Sequence, residues 1–176
     1  MKWINYSEIE NKIPESAEEQ PGFQTAYEKA CCLLDIREYC YQELYQKLLR
    51  KYPDEDLCQA VMEKLVRCDA VNDRRYAQRY AEYLVRRKGY GIRRAEQEMW
   101  HKGLDKALIR EFLAEQQKAA DENLPRILVK KYSRHLQDAD DYRAREKAVA
   151  GMVRLGYDFH AVRNAIEDYF AEQEED

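Results

Sequence analysis

The chain has 176 residues, 45% of them hydrophobic, and a formal net charge of −4. Gly and Pro are scarce, alternating Val/Ile/Thr runs are missing, and no apolar run approaches the roughly 18 residues that would span a bilayer. These totals set aside membrane-spanning and β-rich classes, favour an all-helical protein, and by themselves argue against a nucleic-acid binder.

Residues 1–23 read as an acidic arm or short helix, with Trp3, Ile4, Tyr6 and Ile9 as its apolar side. They lack an apolar h-region, so they are not read as a signal peptide. Residues 24–38 place Ala26, Ala30, Leu33 and Leu34 on one helical face, and residues 43–65 read as helix, turn, helix. Residues 73–88 form a helical pattern with Tyr76, Ala77, Tyr80 and Leu84 on one face; residues 94–113 again read as helix, turn, helix. Residues 123–136 carry Leu124, Ile127, Leu128 and Leu136 as a further, less tidy helix, and residues 147–166 close the chain's third helix pair. The last ten residues hold six acids and no base.

The three helix pairs share one rhythm. Ala95, Met99, Trp100, Gly103, Leu104, Ile109 and Leu113 recur 53 residues later as Ala148, Met152, Val153, Gly156, Tyr157, Val162 and Ile166. Leu44, Leu48, Leu49, Leu57, Val61 and Met62 fit the same pattern at an offset of 51. Gly103 and Gly156 suit the left-handed residue that ends a helix, and Asp105 and Asp158 stand near the next helix N-terminus. The expectation is three tandem three-helix repeats, over 24–70, 71–120 and 121–176, forming an elongated, curved array in which stacking buries each unit's stripe.

The segment Gly89-Tyr90-Gly91 is too short a glycine motif for a phosphate loop: it follows a helix and not a strand, and no Lys-Ser/Thr succeeds it. It reads as a turn into a helix that starts near Ile92. Around it runs a basic belt. Residues 73–102 hold nine bases (Arg74, Arg75, Arg79, Arg86, Arg87, Lys88, Arg93, Arg94 and Lys102) against four acids, while both chain ends are acidic. At about 100° per residue, Arg75, Arg79 and Arg86 share a face that points away from the Tyr76–Leu84 stripe, and Arg94 lies opposite Ala95 and Met99. These nine residues are the candidate partner-binding or DNA-binding surface. The alternative is a solvated face neutralised by pairs such as Arg94–Glu98.

Catalysis finds no foothold. Cys31, Cys32, Cys40, Cys58 and Cys68 contain no C-x-x-C spacing and read as packed, reduced thiols of an intracellular protein, with Cys31 and Cys32 on an apolar face. His101, His135 and His160 lack a ligand set, and Asp138, Asp140 and Asp141 read as a capping loop before Tyr142. No catalytic residue, metal or cofactor is expected.

Residues 72–104 resemble the central signature of the RecX regulatory proteins, through Asp73, Arg75, Tyr76, Ala77, Lys88, Gly89, Gly91, Arg94, Glu98, Lys102 and Gly103. Residues 30–52 resemble the family's first unit through Ala30, Leu33, Leu34, Arg37, Glu43, Leu44, Lys47 and Leu48. The resemblance spans about 24–170 and is specific over 26–113. Asn72 departs from the usual acidic pair, Cys40 from the usual capping Ser, and Met99 from Leu. The resemblance implies an all-helical modulator, usually an inhibitor, of the RecA recombinase. It implies binding along the RecA–single-stranded DNA filament, direct DNA contact in some members, and neither enzymatic activity nor cofactor. A cytoplasmic monomer with weak, salt-dependent affinity for single-stranded DNA is expected, because the acidic ends oppose a full wrap around the backbone. Two other readings fit the same residues. One is a helix-turn-helix DNA binder, although the helix from Asp105 offers few base-reading side chains. The other is a helical protein–protein scaffold.

Overall fold

The computed structural model describes residues 20–174, which form an all-helical fold with no strand among them. The helices are α1 (Phe23–Ile36), α2 (Tyr41–Lys51), α3 (Glu55–Arg67), α4 (Asp73–Glu82), α5 (Ile92–His101), α6 (Lys106–Tyr132), α7 (Tyr142–Arg154) and α8 (Phe159–Glu174). A five-residue π-helical segment, Tyr83–Arg87, continues α4. The helix considered for Trp3, Ile4, Tyr6 and Ile9 lies outside the described residues.

One compact unit comprises residues up to Ala77 together with His101–Asp105. Its core joins Phe23, Ala26 and Ala30 of α1 to Leu44 and Leu48 of α2 and to Val61, Met62 and Leu65 of α3. Each buried aliphatic side chain contributes about 2 kcal/mol of transfer free energy. Asp54 caps α3 by accepting the Leu57 amide at 3.0 Å. Asn72, the departure from the acidic pair, caps α4 by accepting the Arg75 amide at 2.9 Å, a role Asn fills as well as Asp. Cys40 at the N-cap of α2 makes no side-chain bond to its own helix. Instead the buried carboxylate of Asp73 accepts the Tyr41 amide at 2.6 Å, and the Cys40 thiol donates to the Lys102 carbonyl at 3.0 Å. Burial pushes the Cys40 thiol up to about 12, so it is a packing group. Cys58 is buried too, but Cys31 is only half-buried and Cys32 and Cys68 are exposed, which corrects the expectation that all five are packed.

The second unit comprises Gln78–Trp100 and Lys106–Asp176, described to Glu174. Leu124 and Leu128 of α6 pack with Leu136, with Ala148 and Met152 of α7, and with Val162 and Ile166 of α8. Asp141 caps α7 through the Ala144 amide at 3.0 Å, as the capping-loop reading required. Asp158 caps α8 through the amides of His160 (2.9 Å) and Ala161 (3.2 Å), which hold its carboxyl below the usual range. The helix expected over 123–136 is not separate. α6 runs unbroken for 27 residues, about 40 Å, through the expected seam at 120/121. Residues 114–123 are nearly all strong helix formers with no Gly or Pro to stop them, and Pro125 costs one backbone hydrogen bond inside the helix.

The sequence rhythm matches the burial. Leu44, Leu48, Ala95, Met99, Ala148 and Met152 are all fully buried. Gly103 and Gly156 have φ of 82° and 93°, the left-handed conformation expected of them. One position of the rhythm differs between segments: Leu49 is half-buried against the first core, whereas Trp100 and Val153 are exposed.

Candidate functional site

The nine belt cations do not form one class. Arg75 is an internal clamp. Its guanidinium bonds the Asp69 carboxylate at 2.5 Å and the Asp69 carbonyl at 2.9 Å, with Glu38 at 3.8 Å. Asp69 is the one non-glycine residue with positive φ (55°) among those described, and Asn72 and Arg75 hold it there. Arg75 therefore braces the turn into α4 and does not stand free on the outward face. Lys102 is also internal: its ammonium lies 3.0 Å from Glu43, which Arg37 engages at 2.7 Å while stacking 3.7 Å over Tyr39. Burial raises the Glu43 pKa, but the hydrogen bonds from Arg37 and Lys102 outweigh it and hold the carboxyl below its ordinary value. A depressed folded-state pKa stabilises fully above the unfolded value of about 4.3 and is lost as pH falls through the folded one. Denaturation midpoints should accordingly fall below about pH 4. In Glu43→Gln that part of the acid dependence should vanish, with a lower midpoint at neutral pH.

The remaining cations are exposed. Arg74 and Arg79 lie on the outward face of α4, and Arg86 is solvent-facing beyond it. Arg86 reaches Gln116 at 3.3 Å and Glu82 at 3.7 Å. Arg94 pairs with Glu98 at 2.6 Å, the i,i+4 neutralisation that was the alternative reading. Arg93 pairs with Asp158 at 3.1 Å. Exposed pairs of this kind are worth less than about 1 kcal/mol and leave both groups available to a partner. Arg87 and Lys88 are exposed, and Lys88 lies 5.7 Å over the Tyr83 ring.

The π segment explains how Lys88 escapes. On a regular helix Lys88 would continue the buried face of Ala77, Ala81 and Leu84. Here the Lys88 amide bonds the Tyr83 carbonyl at 3.0 Å and the Tyr90 amide the Leu84 carbonyl at 3.0 Å. The wider turn inserts about one residue, roughly 100° of rotation, and swings Lys88 to solvent. Such segments have no period that sequence inspection would find.

The Gly89–Gly91 turn is engaged on the α7–α8 turn. The Gly91 amide bonds the Leu155 carbonyl at 2.8 Å, the Arg93 amide the Gly156 carbonyl at 3.3 Å, and the buried Tyr157 hydroxyl donates to the Gly89 carbonyl at 3.1 Å. These amides are spent inside the protein, so the turn cannot cradle a phosphate. Among the described residues no group of His, Cys, Asp and Glu is placed to hold a metal ion, and no helix is long and apolar enough to cross a membrane.

The described residues form an all-helical fold of packed three-helix units. Residues 26–65 match the first three-helix domain of RecX and residues 72–113 match the second. The chain belongs to the RecX family of regulatory proteins. It is 30% identical over 145 residues to the Regulatory protein RecX of Xanthomonas oryzae pv. oryzae, covering 81% of this chain and 87% of that one. It is 26% identical over 145 residues to that of Chlorobium phaeobacteroides, covering 82% and 93%. The crystal structure of RecX from Lactobacillus salivarius superposes with a TM-score of 0.72 over 83% of this chain and 95% of that chain, at 21% identity, and speaks for the fold.

Proposed function

We propose that this protein is a non-catalytic modulator of the RecA recombinase, acting as an inhibitor by binding the RecA–single-stranded DNA filament. The observation that supports the reading is the set of exposed cations on α4, the π segment and α5, within the stretch that matches the second RecX domain. Arg74, Arg79, Arg86, Arg87, Lys88, Arg93 and Arg94 supply the approach to a polyanionic filament, while Arg75 and Lys102 keep the helices in place. Charge at such a rim governs encounter rate and salt dependence more than final affinity. The three pattern units, 24–70, 71–120 and 121–176, serve as the repeats that present this surface, and the protein acts as a monomer in the cytoplasm.

The test is the single-stranded-DNA-dependent ATPase rate of the organism's own RecA with this protein titrated in. Wild type should suppress the rate. Arg79→Glu/Arg86→Glu/Arg94→Glu should need roughly tenfold more protein for the same suppression, more so at higher salt. Arg75→Glu is left out because it would break the Asp69 clamp and confuse folding with binding. Suppression unchanged by the triple variant would remove the belt from the contact surface. No suppression at any ratio would remove the RecA reading.

A further inference from the structure

Five cysteines lie among the described residues, and their surroundings differ. Cys40 and Cys58 are buried, and their thiols donate to the carbonyls of Lys102 (3.0 Å) and Tyr52 (3.3 Å). Cys32 is exposed on the outer face of α1, between the exposed Glu28 and Asp35. Two remain: Cys31 of α1, half-buried against the first core, and Cys68, exposed at the C-cap of α3. They are far apart in sequence but belong to the same compact unit.

The packing of α1 on α3 brings these two to one place. The Lys64 ammonium lies 5.5 Å over the Phe23 ring and 5.0 Å over the Tyr27 ring, and those rings stack with centroids 6.1 Å apart. Lys64 and Cys68 are one turn apart on α3; Tyr27 and Cys31 are one turn apart on α1. One turn further along the same two faces, Cys68 comes abreast of Tyr27 and Cys31. The Tyr27 hydroxyl marks the meeting point, since both thiols lie within hydrogen-bonding reach of it. Burial first, and then the two sulfurs, raise its pKa. Two sulfurs around one oxygen are separated by no more than about two hydrogen-bond lengths, a gap that side-chain rotation can close. Cys31 and Cys32 are no rival pair, because adjacent residues of a helix point about 100° apart.

The geometry points to Cys31 and Cys68 as a thiol pair oxidised by peroxide, closing reversibly into a disulfide that staples α1 to the end of α3. The exposed Cys68 reacts first. Its thiolate attacks one oxygen of hydrogen peroxide, the O–O bond breaks, and the departing hydroxide takes a proton and leaves as water. The Cys31 thiolate then attacks the sulfenic sulfur; the S–S bond forms as the S–O bond breaks, and a second water departs. Two thiols have given two electrons in all, and one peroxide has become two waters. Cys68 immediately precedes Asp69, whose carboxylate and carbonyl hold Arg75. The staple thus lands on the turn that Arg75 braces into α4. Its partly exposed position leaves it open to thiol reductants, so a reducing compartment reopens it. The inference stands apart from the recombinase reading and uses none of the belt cations as a contact surface.

Treatment of the whole reduced protein with hydrogen peroxide, alkylation of the remaining thiols and tryptic mapping test it. Residues 30–37 carry Cys31 and Cys32, residues 68–74 carry Cys68, and each stretch is released by cleavage after Lys or Arg. The two peptides should appear joined, two hydrogens lighter than their sum, and should come apart with dithiothreitol. The joined species should persist in Cys32→Ser and vanish in Cys31→Ser and in Cys68→Ser. Oxidised wild type should melt roughly 5–10 °C above reduced wild type, and Cys68→Ser should show no such rise. Cys68 is exposed, so Cys68→Ser leaves the core intact whatever Cys31→Ser does to it. A joined peptide that survives Cys31→Ser, a disulfide between two copies, or no joined peptide in excess peroxide would overturn the pair. A joined peptide without a rise in melting temperature would overturn the claim that the native packing presents the two sulfurs to each other. None of these readouts involves a recombinase, so their failure and a failure of ATPase suppression are distinct results.

Discussion

Gly91→Ala should lower stability by about 4 kcal/mol. A Cβ at residue 91 would stand 2.4 Å from the carbonyl carbon and oxygen of Gly156 and 2.6 Å from the Tyr157 amide. All of these are backbone atoms, which cannot rotate aside as a side-chain tip can. The α7–α8 turn would have to retreat, and the bonds from Gly91 to Leu155 and from Arg93 to Gly156 would stretch with it. The cost joins overpacking, about 1–3 kcal/mol, to weakened buried hydrogen bonds of about 1 kcal/mol each. At this chain length it corresponds to a fall in melting temperature of about 10 °C. Gly89→Ala provides the contrast. Its Cβ would meet Ile127 Cδ1 at 2.7 Å, the mobile end of a side chain, and its left-handed φ of 68° costs an Ala about 1 kcal/mol. Thermal melts that ranked Gly89→Ala as the worse variant would refute the close-approach account.

Asp73→Ala comes next, at about 3 kcal/mol. Its side chain is 6% exposed and accepts the first amide of α2 at 2.6 Å, at the positive end of a helix whose own N-cap, Cys40, offers no capping bond. Removing the carboxylate leaves a buried N–H without its acceptor. Asp73→Asn keeps an oxygen at the same place and should cost about 1 kcal/mol, because only the charge assistance is lost. Urea denaturation at neutral pH separates the two. Equal losses for Ala and Asn would mean that the Tyr41 amide is not what the carboxylate holds.

These two residues show where the sequence was legible. The core positions of the repeat, Ala95 and Met99 with Ala148 and Met152, follow from helical periodicity because burial repeats with the fold. Asp73 belongs to a recognisable motif, yet its role as a cap for a different helix appears only when α2 and α4 meet. The belt was read from charge density, which counts Arg75 and Lys102 equally with Arg87. Whether a cation is spent on Asp69 or Glu43 or left to solvent depends on contacts across 6 or 59 residues. The π segment left no periodic trace, though it decides which way Lys88 points.

The unbroken course of α6 bears on how the protein can be dissected. A cut at 120/121, natural for anyone dividing the chain by its repeats, would fall in mid-helix and leave Ala119 and Ala120 on one fragment and Leu124 and Leu128 on the other, each with a core face bared. Neither stump would be long enough to hold its helix in water unaided. The stretch from 121 onward is thus not a cassette to be excised or transplanted between relatives at that point. Exchange would have to take the whole of α6, and with it Gln116 and Asn123, the residues that hold Arg86 and the π segment.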